Sequence, residues 1–129
     1  MKVAGGFIDI VGQALSLLCI VHCAAMPLVL AAVPTFAGVF GRAHPVLLIL
    51  VFATALWSFV PGYRHHRNLS VLLLGIAGVA LLAMGTLPSN SLATETAFSV
   101  SGAGLMLFAH WKNRTAHRHC DHCEAEAKA

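Results

Sequence analysis

Two short clusters in this chain carry the residue types that bind soft metal ions. Cys19-Ile20-Val21-His22-Cys23 lies inside an apolar stretch that runs from Ile10 to Val33. His119-Cys120-Asp121-His122-Cys123 lies near the end of a polar C-terminal tail. Thiolates select Cu(I), Zn(II) and heavier thiophilic ions, whereas Mg and Ca take oxygen ligands. Thiolate is the binding form, so metal uptake at either cluster releases protons.

In the first cluster, Cys19 and Cys23 are four residues apart. A helix places such a pair on one face with Cβ atoms about 5–6 Å apart, and His22 falls near that face. Packing is the competing role for the two thiols, since a free Cys behaves as a small hydrophobe. A disulfide between adjacent helical turns is strained. The imidazole favours the ligand role, because ionisable groups inside a membrane span are rare and functional. Pro27 lies four residues after Cys23 and cannot donate to its carbonyl, which leaves a backbone oxygen beside the thiol.

The second cluster pairs Cys120 with Cys123, with His119 or His122 available as further ligands. The same spacing occurs in thiol oxidoreductases, but there it opens a helix of an α/β fold, which this composition excludes. Cys123 is followed by Glu124 rather than His, so a c-type haem attachment motif is absent. Two further histidine sites are read as interfacial. His65-His66 sits between Arg64 and Arg67 in a basic turn, and His110 stands beside Trp111 where the last apolar run ends. His44 falls in the first connecting loop.

The elements that position these residues are membrane spans. Of the 129 residues, 58% are hydrophobic and 10% are charged, against about 25% charged in a soluble domain. Mean hydropathy is +0.80. A bilayer core of about 30 Å needs roughly 20 apolar residues in a helix. Candidate spans run over 8–33, 45–60, 69–87 and 93–111, separated by Pro34, Pro61-Gly62 and Pro88-Ser89-Asn90. The first is too long for a signal-peptide core of about 7–15 residues and is read as retained. At about 1.5 Å per residue from Ile8, Cys19 lies roughly 17 Å deep, near the bilayer centre.

The net charge of +3 is modest and its carriers cluster at span ends, which fits membrane orientation and not nucleic-acid binding. Lys2, Arg64, Arg67, Lys112, Arg114, Arg118 and Lys128 fall on one side, and only Arg42 on the other. Basic loops mark the cytoplasmic side. The expected architecture is therefore an all-α, four-helix membrane bundle with both termini cytoplasmic. Residues 1–111 form the membrane domain and 112–129 a cytoplasmic Cys/His tail. Gly75, Gly78, Gly85, Gly102 and Gly104 are expected to let spans three and four approach closely.

Taken together, Cys19-Ile-Val-His22-Cys23-Ala-Ala-Met-Pro27, Tyr63-Arg64-His65-His66-Arg67, and the run from Ser101-Gly102 to Ala109-His110-Trp111-Lys112-Asn113-Arg114 resemble the MerC-like family of bacterial inner-membrane heavy-metal transport proteins. The likeness covers most of the chain. It implies four transmembrane helices and a mercuric-ion cargo, with Cys19 and Cys23 as the membrane cysteine pair and Cys120 and Cys123 as the cytoplasmic pair. The chain departs from the family pattern in its membrane spacing, Cys-x-x-x-Cys with His22 inside it, where mercury-resistance members carry Cys-x-x-Cys closely followed by proline. Its tail cysteines are also closer together.

The expected function is a carrier or binding protein for a soft metal ion, Hg(II), Cu(I) or Zn(II), with no permanent cofactor and no enzymatic activity. The ion is captured at Cys19 and Cys23 with His22, and passes by thiolate exchange to Cys120 and Cys123 with His119 or His122. A non-transporting metal sensor or delivery module is the alternative, and a thiol-redox or haem-binding membrane protein a third. Expected partners are the lipid bilayer, the metal ion, a periplasmic donor, a cytoplasmic acceptor and a second copy of the chain.

Overall fold

The computed structural model describes residues 2–87 and 91–126, with side chains described for 6–35, 38, 45–87 and 91–118. It contains four long helices: α1 (Lys2–Ala32), α2 (Ala37–His66), α3 (Leu69–Thr86) and α4 (Leu92–Glu126). A short 3-10 turn, Pro34–Phe36, joins α1 to α2. All four helices are long and apolar enough to cross a membrane, as the hydropathy pattern predicts. The fold is inside-out in the manner of a membrane protein. Large apolar side chains such as Leu28, Ile49, Trp57 and Ile76 point outward, where lipid tails accept them.

The interior combines small, polar and sulfur-bearing side chains with a few larger apolar ones, Val51, Phe59, Val71 and Leu82. α4 packs against all three other helices, most extensively α3 and α1. Against α3 the contact is close. A Cβ added at Gly102 would meet backbone atoms of both Gly78 and Leu82, the small-residue packing the sequence suggests. On α1 the buried positions are Asp9, Gly12, Ser16, Cys19 and Cys23, spaced alternately three and four residues apart. That spacing keeps one stripe facing a partner along the whole helix. On α4, His110 and Asn113 face this stripe at Gly12 and Asp9, while Ser99 and Met106 pack against Gly85 and Gly78 of α3.

Helix ends differ from the expected boundaries in several places. α2 begins at Ala37 and not near Pro45, so Arg42 and His44, expected in the first connecting loop, belong to its helical backbone. The second span does not stop at Val60. α2 continues through Pro61 and Gly62 to His66 and ends where Arg67 takes a left-handed conformation, φ 52°. The Arg67 amide then closes the turn onto the Tyr63 carbonyl at 2.9 Å, and Asn68 caps α3 by accepting from the Ser70 amide at 3.1 Å. Pro61 is tolerated because it leaves one carbonyl without its usual donor, which a membrane helix sustains beside close neighbours. Gly62 is needed for a different reason, since a Cβ there would overlap the Asn113 carboxamide. α4, too, does not end near Trp111 but runs unbroken to Glu126. Pro27 likewise lies within the continuous helix α1.

Candidate functional site

Cys19 and Cys23 occupy adjacent turns of α1 on its buried stripe, 1% and 3% exposed. Their sulfurs lie 3.9 Å apart and both thiols are free. Ser99 of α4 lies beside the Cys23 thiol. Cys23 forms part of the wall of a cavity of about 320 Å³ near the α3–α4 connection, lined also by Met26, Pro45, Gly85, Thr86, Leu92, Glu95 and Thr96. The thiol pair is therefore buried in the bundle, and its Cys23 member adjoins an opening where Glu95 is the one carboxylate among the described lining residues. His22 is only partly buried, one residue off the stripe. Among the described residues, no three His, Cys, Asp or Glu side chains come together as a metal-binding group. The membrane cluster is thus a two-sulfur pair, and His22 is not its third ligand in this conformation.

The backbones of His119, Cys120, His122 and Cys123 belong to helix α4, and their side chains lie outside the described residues. Just before them, His117 meets the end of α2. Its ring centroid is 5.2 Å from that of His65 and 5.4 Å from that of His66. The basic turn after span two and the start of the tail are thereby one neighbourhood.

His110 overturns the expectation of an interfacial side chain. It is fully buried, because Trp111 takes the outward direction, 54% exposed and stacked on Phe108. The His110 ring lies between Gly12, where a Cβ would overlap it, and Phe59, whose ring centroid is 4.6 Å away. It belongs to a polar cluster that the sequence reading did not single out: Asp9 from α1, Ser58 from α2, and His110 and Asn113 from α4, all buried. The signal available was the three–four spacing of Asp9, Gly12 and Ser16 ahead of Cys19, which places a carboxylate on the same stripe as the thiols.

The hydrogen bonds in this cluster fix one another's direction. The Asn68 backbone N–H can only donate, and it donates to His66 Nδ1 at 3.0 Å. His66 Nε2 therefore carries the proton and donates to Asn113 Oδ1 at 2.9 Å. That orients the Asn113 carboxamide so that its nitrogen donates to Asp9 Oδ1 and Oδ2, at 3.1 and 2.9 Å, and to Ser58 Oγ at 3.0 Å. Ser58 Oγ donates in turn to Asp9 Oδ1, and His110 Nδ1 shares a hydrogen bond with the same oxygen at 3.0 Å. Asp9 thus accepts from Ser58 and Asn113 and pairs with His110, joining α1 to α2 and α4. His110 Nε2 is left buried without a hydrogen-bond partner.

The chain matches the family described as "MerC mercury resistance protein" over residues 9–115, which takes in all four apolar segments. No curated protein and no solved structure matches it significantly.

Proposed function

Because the chain belongs to the MerC mercury resistance family, we propose that this multi-pass membrane protein is a carrier that takes Hg(II) across the bacterial inner membrane by way of Cys19 and Cys23. The family match points to mercuric ion and gives no support to the Cu(I) and Zn(II) options. The observation that carries the reading is the thiol pair, buried mid-helix with sulfurs 3.9 Å apart and with Cys23 adjoining an opening at one end of the bundle.

The geometry suits a soft ion. With metal–sulfur bonds of roughly 2.3 Å, sulfurs 3.9 Å apart subtend roughly 116° at a bridging ion. A linear bis-thiolate needs roughly 4.6 Å between its sulfurs, a separation that small side-chain rotations supply. The bent angle also accommodates a third donor arriving with the ion, so capture proceeds by ligand exchange and no bare ion enters lipid. Two thiolates neutralise a dication, which removes the main cost of holding it in a low dielectric.

In this reading the basic loops set both termini in the cytoplasm, so the Glu95 opening faces the periplasm and receives the ion. The tail pair, Cys120 and Cys123 with His119 or His122, receives it on the inner side. The test is anaerobic Hg(II) stoichiometry in detergent, in a full-length chain carrying Cys120→Ser and Cys123→Ser. The chain is expected to bind about one ion, and to bind none tightly once Cys19→Ser and Cys23→Ser are added. Equal binding with and without Cys19 and Cys23 would overturn the reading.

A further inference from the structure

α3 packs closely on α4 and only lightly on α2. The seam between α2 and α3 holds a cavity of about 310 Å³, walled by Phe52, Leu56 and Val60 of α2 and by Leu72, Ile76 and Ala80 of α3. Every residue lining it is apolar. Phe52, Leu56, Val60 and Ile76 are exposed, so the cavity is a groove on the lipid-facing surface. The buried Phe59 forms its floor, with the ring where a Cβ of Gly75 would stand. The same face of α2 changes character toward its C-terminal end. Tyr63 follows Phe59 by four residues and Arg64 follows Val60 by four, which puts both in line with the groove. Arg64 and Arg67 are exposed, and neither α2 nor α3 carries an acidic residue to pair with them. We propose that this seam binds one anionic phospholipid, its phosphate held by Arg64 and Arg67 and one acyl chain lying in the α2–α3 groove.

The dimensions match one leaflet. From Phe52 to Arg64 is twelve residues, about 18 Å along the helix axis, and one leaflet supplies about 15 Å of hydrocarbon. An acyl chain that fills the groove therefore brings its phosphate level with the guanidinium groups. Guanidinium binds phosphate oxygens in pairs, and the amphipathic ring of Tyr63 suits the headgroup level. α3 begins beside them at its Asn68 cap, and the positive end of its dipole adds to the field. The backbone of Arg67 points the same way. Its φ of 52° is one that glycine adopts freely and that a residue with a Cβ disfavours. The turn alone would take glycine there, and the arginine supplies a cation at the end of the groove.

A second copy of the chain is a poorer occupant. Closed dimers use the same patch on both copies, and copies inserted with one orientation meet with their basic ends level. Joining the two grooves would set Arg64 and Arg67 of each copy against those of the other, which like-charge repulsion opposes. A zwitterionic lipid fills the apolar groove equally well but brings its own ammonium group to the arginines. The site is thus selective at its headgroup end and general along its apolar length. It lies on α2 and α3, away from the thiol pair on α1, so it stands or falls independently of metal capture.

The test is native mass spectrometry of the full-length chain in detergent, titrated with phosphatidylglycerol or with phosphatidylethanolamine carrying the same acyl chains. Tight retention of one phosphatidylglycerol per chain is expected, with a Kd roughly tenfold lower than for phosphatidylethanolamine. Arg64→Gln with Arg67→Gln is expected to erase that preference, and Arg64→Lys with Arg67→Lys to keep most of it. Lys112→Gln with Arg114→Gln removes the same charge from α4 and is expected to leave the preference unchanged. Ala80→Phe sets a ring into the groove from an exposed position and is expected to weaken both lipids several-fold. Arg67→Gly is expected to hold or raise the thermal midpoint without lipid while weakening phosphatidylglycerol, a combination that a purely structural arginine would not give. Equal retention of the two lipids, a preference that survives loss of both arginines, or one lost equally with Lys112 and Arg114 would overturn the proposal. So would a dimer that Ala80→Phe dissociates, which would make the groove an interface between copies. Cys19→Ser with Cys23→Ser is expected to leave lipid binding intact, which separates this site from the thiol pair.

Discussion

At the scale of single residues, Asp9 concentrates the largest share of the buried hydrogen bonding. Three side chains from two other helices hydrogen-bond to it, so truncation leaves several buried polar groups unmatched. Asp9→Ala is expected to lower stability by about 3 kcal/mol or more, read as a fall in thermal midpoint in detergent. Gly12→Ala drives a methyl group into the His110 ring, and with Phe59 behind the ring there is little room to yield. A loss of about 1–3 kcal/mol is expected. Gly104→Ala is the control: nothing stands within 4 Å of the added Cβ, and helix propensity favours the change by up to about 1 kcal/mol. If both glycine variants melt alike, the cradle around His110 is not tight. The thiol pair was legible from the sequence because Cys19 and Cys23 announce their chemistry and their four-residue spacing fixes their face. Asp9 was not, because its significance depends on Ser58 and Asn113, polar residues that are ordinary in isolation and become informative only when three helices bring them together.

At the scale of helices, existence and order were readable from apolar length, and ends were not. Pro61-Gly62 has the look of punctuation, yet α2 passes through it to His66. The dipeptide combines a residue the helix endures with one it requires, for Gly62 makes room for Asn113. Pro61→Ala is accordingly expected to keep or raise the thermal midpoint, since it restores a backbone donor, whereas Gly62→Ala is expected to cost about 1–3 kcal/mol. The same fall in both would mean that the pair acts as a unit. α4 exceeded its apolar segment because hydropathy reports where lipid contact ends, not where helical hydrogen bonding ends. From Trp111 onward the sequence has no proline or glycine to stop it. His110 was misplaced for a related reason: proximity to a span's end says nothing about azimuth, and adjacent residues on a helix point about 100° apart. Trp111 took the outward direction and turned His110 inward.

At the scale of the whole molecule, the four-helix membrane architecture follows from composition and segment length, while the route through it does not. The opening beside Cys23 exists because Glu95 and Thr96 at the start of α4 meet Pro45 and Thr86 from two other helices. Its one carboxylate favours cations, so Glu95→Gln is expected to slow Hg(II) uptake into vesicles several-fold at low ionic strength, with the difference shrinking as salt is added. A salt-independent defect would point to packing instead. The connection between Asp9 and His110 also bears on how the bundle is made. The two residues are 101 positions apart, on the first and last helices to be synthesised. When α1 enters the bilayer, the ribosome has not yet produced the groups that satisfy its carboxylate, and Asp9 must wait near the headgroups in contact with water. Only the arrival of α4 lets it withdraw into the interior. A chain interrupted before α4 thus keeps an unpaired acid at the membrane edge, a persistent mark of incompleteness that quality-control proteases can reach, whereas the finished chain hides it.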